Sequence, residues 1–447
     1  MDELRRSDFG TDFVWGVATA SYQIEGGWDL DGKGPSIWDT FTHGSNPKPL
    51  PPRIRDRSTG DVACDFVHHV VEDTQLVADL GFDASRFSIS WPRVIPTGVG
   101  SPNEAGLAFY DRVVDEYLAR GVDPWVTLYH WDLPQALQDR GGWTNRDIVS
   151  WFGDYCALVA DRLGDRVKHW MVFNEPLSFT VLGHLLGVHA PGIRSRKKFL
   201  ASVHHTNLAQ ASGAAAIRAA SSDAVVGTTQ YFGPILEGGN DKAHRATDAL
   251  INRIFVEPNL GLGYPTDDCG FIRPIESHIR PGDDEAVKVH WDFMGAQYYT
   301  MFKQLPIPVP GLGAIPVFGR DHRNYEISAT GWEVRPDGLY DVLKRCRDWG
   351  FERIIVTENG TAVPDVVEGD TVHDPRRVEF YRRHLDQVRR AISDGIPVEG
   401  YFCWSLMDNF EWAEGYGPRF GITYVDYESQ RRTVKDSGRF FQEFLAG

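Results

Sequence analysis

From residue 64 to residue 405 the hydrophobic pattern repeats one unit: an amphipathic stretch, a glycine, two to five residues, then a short apolar run. The clearest stretch starts at Asp374-Pro375, where Val378, Tyr381, Leu385, Val388 and Ile392 recur three and four residues apart. That spacing is one face of an α-helix, opened by Asp before Pro and closed by Gly395. A second stripe, Leu107, Tyr110, Val114 and Tyr117, ends at Gly121, and similar stops stand at Gly81, Gly164 and Gly350. The apolar runs that follow predict strands at Arg86 to Ser90, Trp125 to Tyr129, Trp170 to Asn174, Ile354 to Thr357 and Val398 to Trp404. With Phe13 to Ala20, Val225 to Tyr231 and Phe293 to Tyr299 the count is about eight strands alternating with helices, the composition of a closed (β/α)8 TIM barrel. A doubly wound open sheet would carry a glycine-rich phosphate loop after its first strand, and Ala18-Thr19-Ala20-Ser21 is not one. Two segments lack any period, Pro47 to Arg57 and Leu305 to Arg323, and are read as long loops. Residues 1–447 are therefore expected to form a single barrel domain, with long loops at the C-terminal face of the strands.

Two of the apolar runs stop on a glutamate: Trp170 to Asn174 leads into Glu175-Pro176, and Ile354 to Thr357 into Glu358-Asn359-Gly360. A parallel strand delivers its last side chain to the carboxyl edge of the sheet, where α/β folds build their sites. Two carboxylates in one cleft can supply the proton donor and the nucleophile or base that cleavage of a glycosidic bond requires. Each glutamate alone also fits a structural ion pair. Other strand ends add Gln23 and Glu25, His130-Trp131-Asp132, Gln297-Tyr298-Tyr299 and Trp404-Ser405, with Arg86 opening the second strand. A barrel directs all of these to one mouth. An arginine beside one glutamate would keep that carboxylate ionised, as a nucleophile needs, while its partner holds a proton.

Composition narrows the partners. The chain is 42% hydrophobic and 24% charged with a net charge of −16, and no basic block offsets it, so nucleic acid and anionic membrane surfaces are not expected partners. The 14 Trp, 16 Tyr and 25 Phe suit a carbohydrate cleft as well as a core. Met1 to Arg6 lacks the apolar segment of a signal peptide, and the five cysteines are odd in number and without a CxxC pair. Both point to a cytoplasmic protein with reduced thiols. Asp29-Leu30-Asp31-Gly32 lacks the remaining ligands of a calcium loop, and the adjacent pairs His68-His69 and His204-His205 lack metal-ligand spacing, so no cofactor or metal is expected. Pro306-Ile307-Pro308-Val309-Pro310 is read as a stiff active-site loop.

Six motifs in order, Phe13 to Gly26, Arg86 to Trp91, His130 to Pro134, Asn174-Glu175-Pro176, Thr357 to Gly360 and Trp404 to Trp412, resemble glycoside hydrolase family 1, the β-glucosidase type, along nearly the whole chain. The resemblance implies Glu175 as general acid/base and Glu358 as nucleophile of a retaining double displacement, with the carboxylates about 5 Å apart. It implies further that Asn174 bonds the sugar 2-hydroxyl and that Tyr299 holds Glu358. Gln23, His130, Trp131, Glu411 and Trp412 would form the sugar pocket, with Trp404 as the floor under the ring, Trp332 on the aglycone side and Arg86 in support. The family usually has Asn where this chain has Gln297, a change that bears on Tyr299. The two aperiodic segments are expected at the aglycone entrance.

The expected substrates are terminal β-D-glucosides, cellobiose among them, with β-galactosides and β-fucosides tolerated; whether the chain forms a homo-oligomer is open. A 6-phospho-β-glycosidase would need cationic residues after Trp404, where this chain is acidic and amide-bearing. A thioglucosidase usually lacks the acid/base Glu that Glu175 supplies. A carbohydrate-binding pseudoenzyme has only Gln297 in its favour.

Overall fold

Eight short runs, most of them apolar and rich in β-branched and aromatic residues, form parallel strands that close on themselves. They are β1 (Val14–Ala18), β2 (Ala84–Ser88), β3 (Asp123–Tyr129), β4 (His169–Asn174), β5 (Val225–Tyr231), β6 (Phe293–Gln297), β7 (Ile354–Asn359) and β8 (Val398–Trp404). The computed structural model describes residues 4–46, 50–236, 240–319 and 325–447. Each strand pairs with its neighbours in sequence, and β1 closes the ring by pairing with β8, where Ala18 lies opposite Trp404. This is the TIM barrel that the pattern predicts.

Strands buried on both faces explain why most of these runs are mainly apolar. Trp125, Met171, Phe293, Ile355 and Phe402 fill the inside of the barrel. Gly16 is needed there: a Cβ on it would come within 2.2 Å of the Phe402 ring. The outer face packs against helices, among them Glu104–Ala119, which buries Leu107, Tyr110, Val114 and Tyr117, and Pro375–Ser393, which buries Tyr381, Leu385 and Val388.

Four sequence expectations change in detail. Arg86 does not open its strand but lies in the middle of β2, opposite Ala18 and Trp125, so its guanidinium reaches the barrel axis beneath the mouth. Gly81, Gly121, Gly350 and Gly395 have the positive φ of helix stops, whereas Gly164 has φ −69; it is small because a Cβ would lie 2.4 Å from the Ala160 carbonyl oxygen. Leu305 to Arg323 is not a plain loop: Phe302–Leu305 and Ile315–Phe318 pair as an antiparallel hairpin, with the proline run in its turn, while residues 320–323 lie outside the described residues. Of Pro47 to Arg57, residues 47–49 lie outside the described residues; beyond them Arg55 donates its N–H to the Ala413 carbonyl and pairs with Glu414.

The helix Arg196–Ala220 has no clear apolar stripe because it buries polar side chains as well as apolar ones. His204 bonds Tyr264 and Asp283, and His205 bonds the Trp143 carbonyl, so both are structural. Among the described residues no group of three or more His, Cys, Asp or Glu could hold a metal ion, and no helix is long and apolar enough to cross a membrane. All five cysteines are buried and unpaired.

Candidate active site

The carboxyl ends of the strands surround a cavity of about 360 Å³. Glu175 and Glu358 both line it, together with Gln23, His130, Trp131, Asn174, Tyr299, Trp332, Trp404, Glu411 and Trp412. Arg86 does not line it, because it lies underneath, fully buried. The strands thus bring together residues as distant in sequence as Gln23 and Trp412.

The two glutamates differ in their surroundings. Glu358, in β7, accepts hydrogen bonds from Arg86 Nη1 at 2.5 Å and from the Tyr299 hydroxyl at 2.7 Å. Glu175 follows β4 in the left-handed region (φ 44), its N–H tied to the Thr229 carbonyl on β5 at 3.0 Å. A non-glycine residue there is strained, and such strain collects at functional sites. Trp131 (φ 81) and Trp412 (φ 48), on other walls of the cavity, share the feature.

Burial raises the pKa of both carboxyls, but unequally. For Glu358 the charge of Arg86 and the bonds from Tyr299 and Arg86 work against burial. Glu175 feels burial and then the negative charge of Glu358, offset only by Ser178 and the more distant Arg86, and is pushed up to about 8. Glu358 therefore ionises first, and its charge keeps the proton on Glu175. Glu411 is likewise pushed up to about 8 by burial and by Glu358.

The remaining polar groups are held with one end fixed and the other free. Gln23 Nε2 faces Asn409 Oδ1 and the Phe410 carbonyl, both at 2.9 Å, and its buried Oε1 has no partner among the described residues. Asn174 Oδ1 accepts from Arg86 Nη2 (2.6 Å) and Gln297 Nε2 (2.7 Å), so its Nδ2 is the group that meets His130 Nε2 at 2.9 Å. Burial and Arg86 hold the His130 pKa well below its usual value, so the ring is neutral; with Nε2 accepting, its proton sits on Nδ1, which has no partner among the described residues. Trp131, Trp404 and Trp412 supply flat apolar surface; Trp131 and Trp412 have ring centroids 4.5 Å apart. Apolar faces with a few converging donors and acceptors suit a neutral polyhydroxylated ring.

Gln297 in place of Asn does not disturb Tyr299, whose hydroxyl keeps its bond to Glu358. Sequence reasoning missed several residues. Thr127 and Thr229 bond Arg86 from β3 and β5. Tyr231, Phe420 and Phe318 line the cavity, and among the described residues Phe318 is the one part of the Leu305 to Arg323 segment that does so. Thr229 and Tyr231 lie two apart on β5, an alternation visible in sequence, whereas nothing local marks Phe318.

A carboxylate and a carboxylic acid lining one cavity are the pairing that glycoside cleavage requires. The model of "Glycosyl hydrolase family 1" matches residues 5–447. The chain is 42% identical over 446 residues to a 1,4-beta-D-glucan glucohydrolase of Thermotoga neapolitana, covering 98% of each chain. It is 40% identical over 462 residues to a bifunctional beta-D-glucosidase/beta-D-fucosidase of Bifidobacterium breve, again covering 98% of each. A solved structure of the Thermotoga maritima family 1 glycoside hydrolase, complexed with a cyclophellitol analogue transition state mimic, is similar with a TM-score of 0.91 and 40% identity over 98% of both chains. The chain belongs to glycosyl hydrolase family 1.

Proposed function

We propose that this protein is a retaining β-glucosidase in which Glu358 is the nucleophile and Glu175 the general acid/base. The observation that carries the assignment is the asymmetry of the pair: Arg86 and Tyr299 bond Glu358, and neither bonds Glu175. In the first step a Glu358 oxygen forms a bond to the anomeric carbon, the bond from that carbon to the aglycone oxygen breaks, and the Glu175 proton passes to the departing oxygen. Esterified Glu358 carries no charge, so Glu175 loses the repulsion that raised its pKa and becomes a base. It takes a proton from water as that water attacks the anomeric carbon and releases Glu358.

Asn174, His130, Gln23 and Glu411 would read the sugar hydroxyls, Trp404 would be the floor, with Trp131 and Trp412 on the walls, and Trp332 and Phe318 would meet the aglycone. The Bifidobacterium relative's name supports tolerance of β-fucosides beside β-glucosides. A 6-phosphate is disfavoured: among the described residues lining the cavity none is Lys or Arg to pair with it. The family match over residues 5–447 and strands spread from Val14 to Trp404 support one catalytic domain. Five unpaired cysteines support a cytoplasmic location, and the net charge of −16 supports small glycosides rather than nucleic acid or membrane as partners.

The test is a panel of nitrophenyl glycosides with wild type, Glu358→Gln and Glu175→Gln. Glu358→Gln should abolish turnover of every substrate. Glu175→Gln should spare the first step for good leaving groups, slow the second, and remove the fall in kcat/KM above about pH 8 that deprotonation of Glu175 produces. Full activity in Glu358→Gln would overturn the assignment.

A further inference from the structure

Gln297 stands at the end of β6 and is fully buried. Its side chain reaches past β5 to β4: Nε2 donates to Thr229 Oγ1 at 3.1 Å and to Asn174 Oδ1 at 2.7 Å. Its Oε1 is buried without a partner among the described residues. Leaving a buried acceptor unsatisfied is costly, so the bonds made by the other end of this amide are the ones the site retains.

The consequence falls on Asn174. Its Oδ1 takes hydrogen bonds from Gln297, Arg86 and Thr229 at 2.7, 2.6 and 3.2 Å. Rotating the Asn174 amide by half a turn would face its NH2 group toward these donors, so the amide has one orientation. One of its two Nδ2 hydrogens goes to His130 Nε2, and the other has no protein partner among the described residues. Asn174 thus presents a donor to the cavity, and Gln297 is one of the groups that determine this. Arg86 bonds Glu358 as well as Asn174, whereas the short bonds of Gln297 go to Asn174 and Thr229; Gln297 also helps to lower the Glu358 pKa through a side-chain hydrogen bond, but less than Arg86 or Tyr299 does.

We propose that Gln297 is a positioning residue for recognition of the sugar 2-hydroxyl, acting through Asn174. The inference rests on the reading above that Asn174 bonds that hydroxyl. Gln297 does not line the cavity and does not touch substrate itself. Removing its donor frees the Asn174 amide to reorient, which weakens the hydrogen bond to the 2-hydroxyl that should strengthen in the transition state.

The experiment compares 4-nitrophenyl β-D-glucoside with its 2-deoxy analogue in wild type, Gln297→Met, Gln297→Leu and Asn174→Ala, with thermal unfolding of each. Wild type should strongly prefer the 2-hydroxylated substrate. Gln297→Met should reduce that preference by about tenfold, the loss of one ordinary hydrogen bond. The fall should be mainly in kcat and clearly larger for the glucoside than for the 2-deoxy substrate. Asn174→Ala should reduce the preference to a similar or greater degree. Gln297→Leu removes the same donor in another shape and carries the test should the Met variant fail to fold. Equal loss on both substrates would indicate a structural role only and overturn the proposal, as would an unchanged preference. A wild type that cleaves neither substrate would instead overturn the glucosidase reading. Asn174→Ala with full preference would overturn the role of Asn174, and the proposal with it, while leaving the two glutamates in place.

Discussion

Replacing Arg86 by methionine removes the one cation that touches Glu358 among the described residues and leaves a shorter, unbranched side chain. Arg86 is 0% exposed and makes bonds to Glu358, Asn174, Thr127 and the Thr357 carbonyl. Losing one partner of a buried pair costs roughly 3–5 kcal/mol because the other charge is stranded. Glu358 can avoid that cost by holding a proton, since burial already raises its pKa and Arg86 is the strongest opposing influence. At about 1.4 kcal/mol per tenfold, the ionised nucleophile in Arg86→Met should be scarcer by roughly 10²- to 10³·⁵-fold on the acid limb, where both proteins are mostly protonated, and by less at neutral pH. The sign follows directly: the active form of Glu358 is the anion, a higher pKa moves its formation to higher pH, and the acid limb of kcat/KM shifts upward. The assay is the pH profile of kcat/KM for an activated aryl glucoside, with circular dichroism to verify the fold. Arg86→Lys, which keeps the charge but loses the planar fork, should shift the limb less. A folded Arg86→Met variant whose acid limb overlays wild type, or whose loss is constant with pH, would refute the role given to this arginine.

Two further predictions concern the rim and the folded state. Phe318 is 45% exposed, with its ring 5.4 Å from Trp332, so Phe318→Ala should raise KM for aryl and long-chain alkyl β-glucosides by roughly three- to tenfold, equivalent to one aromatic contact, and leave β-glucosyl fluoride unchanged; equal effects on both substrate types would count against an aglycone role. Burial depresses His189 and His384 to about 3 and His184 and His205 to about 4, so all four are neutral in the native protein near neutrality. Unfolded histidines take up protons below about 6.5, so the stability due to these groups is complete above that pH and is lost as pH falls toward their folded values. Urea midpoints should therefore drop between about pH 6.5 and 4, with uptake of more than one proton on unfolding; a flat midpoint across this window would contradict the assignment.

Local pattern was enough for the barrel's parts. A strand buried on both faces tends toward a mainly apolar run, and a helix against it toward a stripe with a stop, so the eight strands and helices such as Pro375–Ser393 were legible in the sequence. The same periodicity placed Glu175 and Glu358 at strand ends, because a parallel strand hands its last residue to the mouth whatever lies beside it. Where burial was not apolar the pattern was silent. Helix Arg196–Ala220 buries His204, His205, Asn207 and Gln210, and only partners such as Asp283, 79 residues beyond His204, make that possible. The hairpin that carries Phe318 to the rim is likewise stabilised by pairing across a turn rather than by alternation.

The sequence by itself determined the number of strands, their direction and the set of residues at their ends, since these follow from hydrophobic period and chain chemistry. Only the tertiary structure decided that Arg86, from the middle of β2, lies under Glu358 rather than Glu175, and that Gln297 reaches Asn174 two strands away. Those pairings depend on how the closed sheet staggers its strands, a property of the whole ring that no single segment encodes. The difference in acidity between two otherwise identical side chains arises from that stagger.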